Sequence, residues 1–281
     1  MNLKKILTNI SAEKFLIGII LLFHSKNWVY KFVPQNTDYK SGSLRKVNRN
    51  GISYELDISD YQEWLIYFYC KSDSSDYVLR YLEQSEVIFD IGANIGQTAF
   101  NMSASQQAKN LNPVIFAFEP YPKTFHKLET NIALNKSKEI KAYNLGLGPE
   151  KGILHMTQHS PANSGGFRMT NDSENSISVP VISLDEFVSE QQISSIDFIK
   201  IDVEGFEAQV LNGAKRTLEQ FKPILVFEYS VENIEAQGGN SDDILEQLIL
   251  MNYKISTKEG VSDKETILKL NYQTDLICIP N

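Results

Sequence analysis

Four short apolar runs in this chain each lead into an acid. Residues 87–89 precede Asp90, 114–118 precede Glu119, 198–201 precede Asp202, and 224–227 precede Glu228. A buried strand has no packing need for an acid at its tip, and four unpaired acids would repel one another. A single one reads as the cap of the next helix, because carboxylates favour helix N-termini. Four in the same position read better as a site for a ligand that offers hydroxyls and positive charge.

The turn after the first run is Asp90-Ile91-Gly92-Ala93-Asn94-Ile95-Gly96. Its glycines permit a tight strand-to-helix turn, and the helix that follows presents free N–H groups. A dinucleotide fingerprint would read G-x-G-x-x-G, whereas this turn reads G-x-x-x-G with Asn94 between the glycines. It also lacks the lysine followed by Ser or Thr of a phosphate-gripping loop. Asp90 is a poor neighbour for a pyrophosphate and a better one for an ammonium or sulfonium. Glu119 follows Gly96 at roughly the 20-residue distance expected of an acid that holds ribose hydroxyls. A sulfonium amino acid joined to adenosine satisfies all of these conditions.

These residues need a scaffold. The apolar runs alternate with helix-length segments at 96–109, 122–135, 206–221 and 241–251. Such alternation predicts an α/β fold with a mostly parallel sheet, helices on both faces, and ligands at the strand ends. Residues 1–80 read as an N-terminal extension with a helix and short strands, including one over 52–58 after the Asn50-Gly51 turn. Residues 81–281 read as the catalytic domain.

Bulk properties narrow the function. The net charge is −8 and the pI about 5.2, so no basic footprint advertises nucleic acid. Cys70 and Cys278 have neither metal-binding nor redox spacing, which fits a reducing, cytoplasmic setting. The apolar run 15–23 falls short of the roughly 20 residues that span a bilayer. We read it as part of a soluble protein, packed on the main domain or used in self-association. Contact with a membrane surface through residues 15–31 is the alternative.

The order of motifs resembles the FkbM-type class I S-adenosylmethionine-dependent methyltransferases over roughly 86–230. The carriers are Phe89-Asp90-Ile91-Gly92-Ala93-Asn94-Ile95-Gly96, then Phe116-Ala117-Phe118-Glu119-Pro120, then the more specific Ile196-Asp197-Phe198-Ile199-Lys200-Ile201-Asp202-Val203-Glu204-Gly205-Phe206-Glu207. The resemblance implies a Rossmann-like seven-stranded sheet, completed by strands near 253–255 and 275–279. It implies that Asp90, Gly92, Asn94 and Gly96 cradle the methionine part of the cofactor. Glu119 would take the ribose hydroxyls, and Asn144 would lie near the adenine. The activity implied is methyl transfer to a hydroxyl of a sugar, glycan or secondary metabolite.

An alcohol nucleophile must lose a proton, so a base within hydrogen-bond reach helps. Asp202, Glu204 and Glu228 are the candidates. The same acids offer carboxylate oxygens to Mg²⁺, whereas no His or Cys set supports a softer metal. His155 and His159 flank a polar insertion that reads as a lid or substrate loop, with Asn163 as a candidate contact. The rivals are a nicotinamide-dependent oxidoreductase, which the G-x-x-x-G turn disfavours, and a binding protein that keeps the fold without catalysis.

Overall fold

The computed structural model describes residues 8–23, 29–68, 77–158, 167–170 and 176–281. They fall into two compact units, one within residues 8–68 and the other beginning at Tyr77.

In the first unit, helix α1 (Ile10–Phe23) is followed by a hairpin of β1 (Leu44–Arg49) and β2 (Ile52–Asp57), then α2 (Tyr61–Phe68). Asn50 and Gly51 both take positive φ, 52° and 87°, which matches the twist of a two-residue hairpin turn. Buried Glu13 of α1 ties the unit together. Its carboxylate accepts two hydrogen bonds from Arg45 of β1, at 2.7 and 2.9 Å, and one from the Tyr67 hydroxyl of α2 at 3.1 Å. Among the described residues, no helix is long and apolar enough to cross a membrane.

The second unit opens with the short α3 (Val78–Tyr81) and then winds a sheet. Its parallel core is β3 (Val87–Ile91), β4 (Val114–Phe118), β5 (Ile140–Tyr143), β10 (Phe198–Ile201) and β11 (Ile224–Tyr229). Helices α4 (Gln97–Ala108) and α5 (Pro122–Asn135) follow β3 and β4. With β12 (Tyr253–Thr257) and β13 (Thr274–Pro280), the order is β12-β13-β11-β10-β3-β4-β5, and β13 is antiparallel to both neighbours. This is the expected seven-stranded, mostly parallel Rossmann-like sheet. On one face Phe89, Phe116, Phe118 and Tyr143 stack across adjacent strands, and Phe187 meets them edge-on at 4.8 to 6.2 Å. Such pairs add about 0.5–1.5 kcal/mol each beyond their burial.

One element is added and one expectation is corrected. A second sheet that the sequence reading did not anticipate, β6 (Gly146–Leu147), β7 (Gly152–Gln158), β8 (Phe167–Thr170) and β9 (Ile177–Ile182), is ordered β6-β9-β7-β8; of the polar insertion itself only residues 167–170 are described, as β8. The strands of this sheet pair chiefly with one another, so their backbone groups are satisfied within it. The helix expected over 206–221 is two: α7 (Glu207–Asn212) and α8 (Lys215–Phe221), after α6 (Leu184–Glu190) has led into β10. They part at Gly213, where a Cβ would sit 2.0 Å from the Gly148 carbonyl oxygen. Asp185 then holds the start of α8 by accepting from the backbone N–H groups of Arg216 and Thr217 and from the Thr217 hydroxyl.

Candidate functional site

Parallel register decides which side chains meet. Lys200 of β10 is aligned with Asp90 of β3 on one side and with Val226 of β11 on the other. Side chains alternate along a strand, so Lys200 and Asp202 share a face, as do Val226 and Glu228. Glu228 is in turn aligned with Asp275 on β13. The strand-end acids Asp90, Asp202 and Glu228 therefore gather around one lysine.

The Lys200 ammonium lies 3.0 Å from Asp202 and 3.7 Å from Asp90. Burial opposes its charge, yet Asp202, Asp90 and Glu228 together hold it above the ordinary lysine range. The four acids are thus not unpaired: part of the positive charge they demand comes from the chain itself. Among the described residues, Lys200's ion-pair partners are Asp202 and Asp90, and Glu228 is not among them. Glu228 instead accepts a hydrogen bond from Gln273 Nε2.

Asp90 is fully buried, and neither carboxylate oxygen accepts a hydrogen bond at normal distance, although the Lys200 ammonium at 3.7 Å and the Ala99 N–H still favour its charged form. Burial pushes its carboxyl up, with Lys200 pulling the other way. The buried Asn94 Oδ1 has no donor. These three acceptor atoms lie in the same turn and call for a donor from outside the chain, since buried polar atoms are rarely left unpaired. A cationic amine fits them.

The rest of the turn is held by the end of β4. Gly92 and Ala93 N–H donate to the Phe118 carbonyl at 3.0 and 2.9 Å, and Asn94 N–H donates to Glu119 Oε2 at 3.0 Å. Gly92 has φ +83°, and a Cβ there would lie 1.8 Å from the Asp202 carbonyl oxygen. Glycine is required at that position to seat the turn against the end of β10, as well as to form the turn. Gly92→Ala should therefore lower the unfolding free energy by about 3 kcal/mol; chemical denaturation checks this, and native stability would refute the packing. Gly96 caps the start of α4.

Glu119 accepts from Asn94 N–H on one oxygen and from Tyr121 N–H, at 2.9 Å, on the other. Each oxygen keeps a second lone pair for ligand hydroxyls. Asn144 spends its Nδ2 on the carbonyls of Glu119 and Pro120, both at 2.9 Å, and so fixes the backbone that carries Glu119.

A cavity of about 240 Å³ is lined by Thr98, Lys200, Asp202 and Glu228 together with Tyr77, Lys258 and Gln273 to Asp275; Asp90, Gly92, Asn94, Gly96 and Glu119 do not line it, and Lys200 connects it to Asp90. Asp202 is 42% exposed where Asp90 is sealed, so Asp202 is the acid an incoming group can reach. Burial, then repulsion from Asp202, Glu204 and Glu207, pushes Glu228 up to about 9. That shift favours the protonated form, in which Glu228 can donate a hydrogen bond. Glu204 follows β10 with φ +54°. The capping role that Asp202 was open to belongs to Glu207, which folds back to accept from the Val203 and Gly205 N–H groups at 3.1 and 3.3 Å.

His155 sits in β7, not in a loop, with Nδ1 3.3 Å from the Ser178 hydroxyl, and it does not line the cavity. His159 and Asn163 lie outside the described residues. Among the described residues, no group of three or more His, Cys, Asp or Glu side chains is arranged to hold a metal ion. Sequence reasoning missed Glu207, Tyr77, Lys258, Gln273, Thr274 and Asp275, and it did not place Lys200 beside Asp90 and Asp202. Lys200 alone left a signal, as a charge interrupting a buried apolar strand.

Burial is the largest cause raising Glu119 and Glu207 to about 7 and Glu228 to about 9. Above the ordinary carboxyl range and up to these values, the native state binds more protons than the unfolded chain, so stability must fall as pH rises. The ligand-free protein should melt at a lower temperature near pH 8 than near pH 5, and a rising melting temperature would contradict the site's electrostatics.

The chain is 28% identical over 200 residues to the hexuronic acid methyltransferase AglP of Haloferax volcanii, covering 71% of this chain and 72% of that protein. It is 27% identical over 177 residues to the 2-O-methyltransferase NoeI of Sinorhizobium fredii, covering 56% and 69%. Among solved structures, the methyltransferase FkbM of Methylobacillus flagellatus aligns with 19% identity and a TM-score of 0.47, covering 78% of this chain and 55% of that one. The methyltransferase FkbM domain model matches residues 90–255, more than half of the chain, and the chain belongs to that family.

Proposed function

We propose that this protein transfers the methyl group of S-adenosylmethionine to a hydroxyl of a sugar, a glycan or a small secondary metabolite. The observation that carries the reading is the set of buried acceptors on Asp90 and Asn94 without a hydrogen bond at normal distance, joined through Lys200 to a cavity lined by the reachable carboxylate of Asp202. Asp90 and Asn94 would receive the cofactor's ammonium, and Glu119 its ribose hydroxyls. When bound, S-adenosylmethionine supplies an electrophilic methyl on a positively charged sulfur.

The chain's own residues do the rest. Asp202 accepts the proton of the acceptor hydroxyl as the new bond forms. Lys200, 3.0 Å away, orients that carboxylate and links it to the cofactor turn through Asp90. Protonated Glu228 and the Gln273 amide offer hydrogen bonds to a polyhydroxyl acceptor. Among the described residues the cavity lining is mostly charged, hydroxyl and amide groups with one ring, Tyr77, which suits a sugar better than a flat aromatic acceptor. The relatives named for a hexuronic acid and for 2-O-methylation support the same class.

The test is transfer of radiolabelled methyl from S-adenosylmethionine to a panel of uronic acids, neutral sugars and phenols. Label should enter a sugar hydroxyl; label entering phenols alone would sink the acceptor reading.

A further inference from the structure

Helix α1 is apolar on more than one side. Glu13, Leu16, Ile17 and Ile20 are buried and account for one face. Ser11, Phe15, Gly18 and Leu22 follow at helical spacing on the opposite face, where Phe15 is 70% and Leu22 79% exposed, with Leu21 at its edge also exposed. Two large hydrophobes this open on one helix face mark a surface that something else covers.

Charge indicates what. The chain holds 27 Lys and Arg against 35 Asp and Glu. Its first 31 residues hold five of the former (Lys4, Lys5, Lys14, Lys26 and Lys31) and one of the latter, leaving 22 against 34 in the remainder. The single acid is Glu13, which is buried and neutralised by Arg45, so it does not offset the lysines at the surface. Lys14 is exposed beside Phe15 on the helix itself. A second copy meeting this face would add its own exposed Lys14 to the first, whereas an anionic surface attracts that charge. The helix is about 21 Å long, too short to span a hydrocarbon core, but an apolar face flanked by lysines suits a helix lying in the headgroup region.

We infer that α1 docks the protein on an anionic lipid surface, with Phe15 and Leu22 entering the acyl boundary and Lys14 at the headgroups. The test is co-sedimentation of the full chain with phosphatidylcholine vesicles, with and without phosphatidylglycerol, over a range of salt. Binding should require the anionic lipid and weaken with salt. A Phe15→Ser/Leu22→Ser double variant and a Lys14→Glu variant should each bind about tenfold more weakly. Both should keep the parent's melting temperature and cofactor affinity, because all three side chains are exposed and outside the site. Equal binding to neutral vesicles, or variants that bind like the parent, would overturn the proposal. So would a dimer in light scattering that the double variant dissolves while no vesicle is bound, which would assign the face to a second copy.

Discussion

Asp202→Asn should bind S-adenosylmethionine with near-parental affinity and lose about 10²- to 10⁴-fold in turnover, the usual worth of a positioned general base. The amide keeps the shape and can still face Lys200, but it cannot take a proton. Asp202 lies at the cavity and is not among the cofactor-turn acceptors, so binding and turnover should separate cleanly. Calorimetry for binding and single-turnover kinetics for chemistry make the distinction. Full activity would move the base to Glu204 or another group at the cavity.

Lys200→Met should have the second large effect, and on stability as well as rate. Removing one partner of a buried pair costs about 3–5 kcal/mol because the remaining charge is stranded. Here the stranded group is Asp90, fully buried with Lys200 at 3.7 Å and no hydrogen bond at normal distance. Burial already raises the Asp90 carboxyl, and the lysine opposes that rise. Without the lysine, the native state holds the Asp90 proton more tightly than the unfolded chain does. The loss should therefore grow as pH rises above the ordinary carboxyl range and shrink as pH falls. Denaturation of the variant and its parent across that range reads this directly. A loss independent of pH would mean that Lys200 contributes packing and not charge compensation.

The strands and the acids at their ends were legible because both rest on local pattern. Residues 114–118 and 198–201 are continuous apolar runs of buried parallel strands, broken only by Lys200, and the helix over 122–135 appears with the expected bounds. What the sequence hid was mostly non-local. Gly213 looks like an ordinary residue near the middle of a helix until the Gly148 carbonyl is brought against it. The small sheet escaped because β9 is half exposed and contains Pro180, both of which read as loop.

In the candidate site, the residues of the turn after β3 are neighbours in sequence and could be picked out by their spacing, but their partners could not. That Lys200 would meet Asp90 depends on the register of two strands more than 100 residues apart. Tyr77 fell within the expected N-terminal extension, and Asp275 sits on a strand whose neighbours are chosen only in three dimensions. The strand-end acids therefore meet part of their demand for positive charge within the chain. Lys200 serves Asp202 and part of Asp90, while the unsatisfied oxygens of Asp90 and Asn94 still ask for a ligand.

The most direct test of that request is isothermal titration of the purified chain with S-adenosylmethionine and with NAD in parallel. Micromolar binding of S-adenosylmethionine with no heat from NAD is the predicted result. Binding of NAD in its place, or of neither, would contradict the assignment of the turn at Asp90 to a sulfonium cofactor.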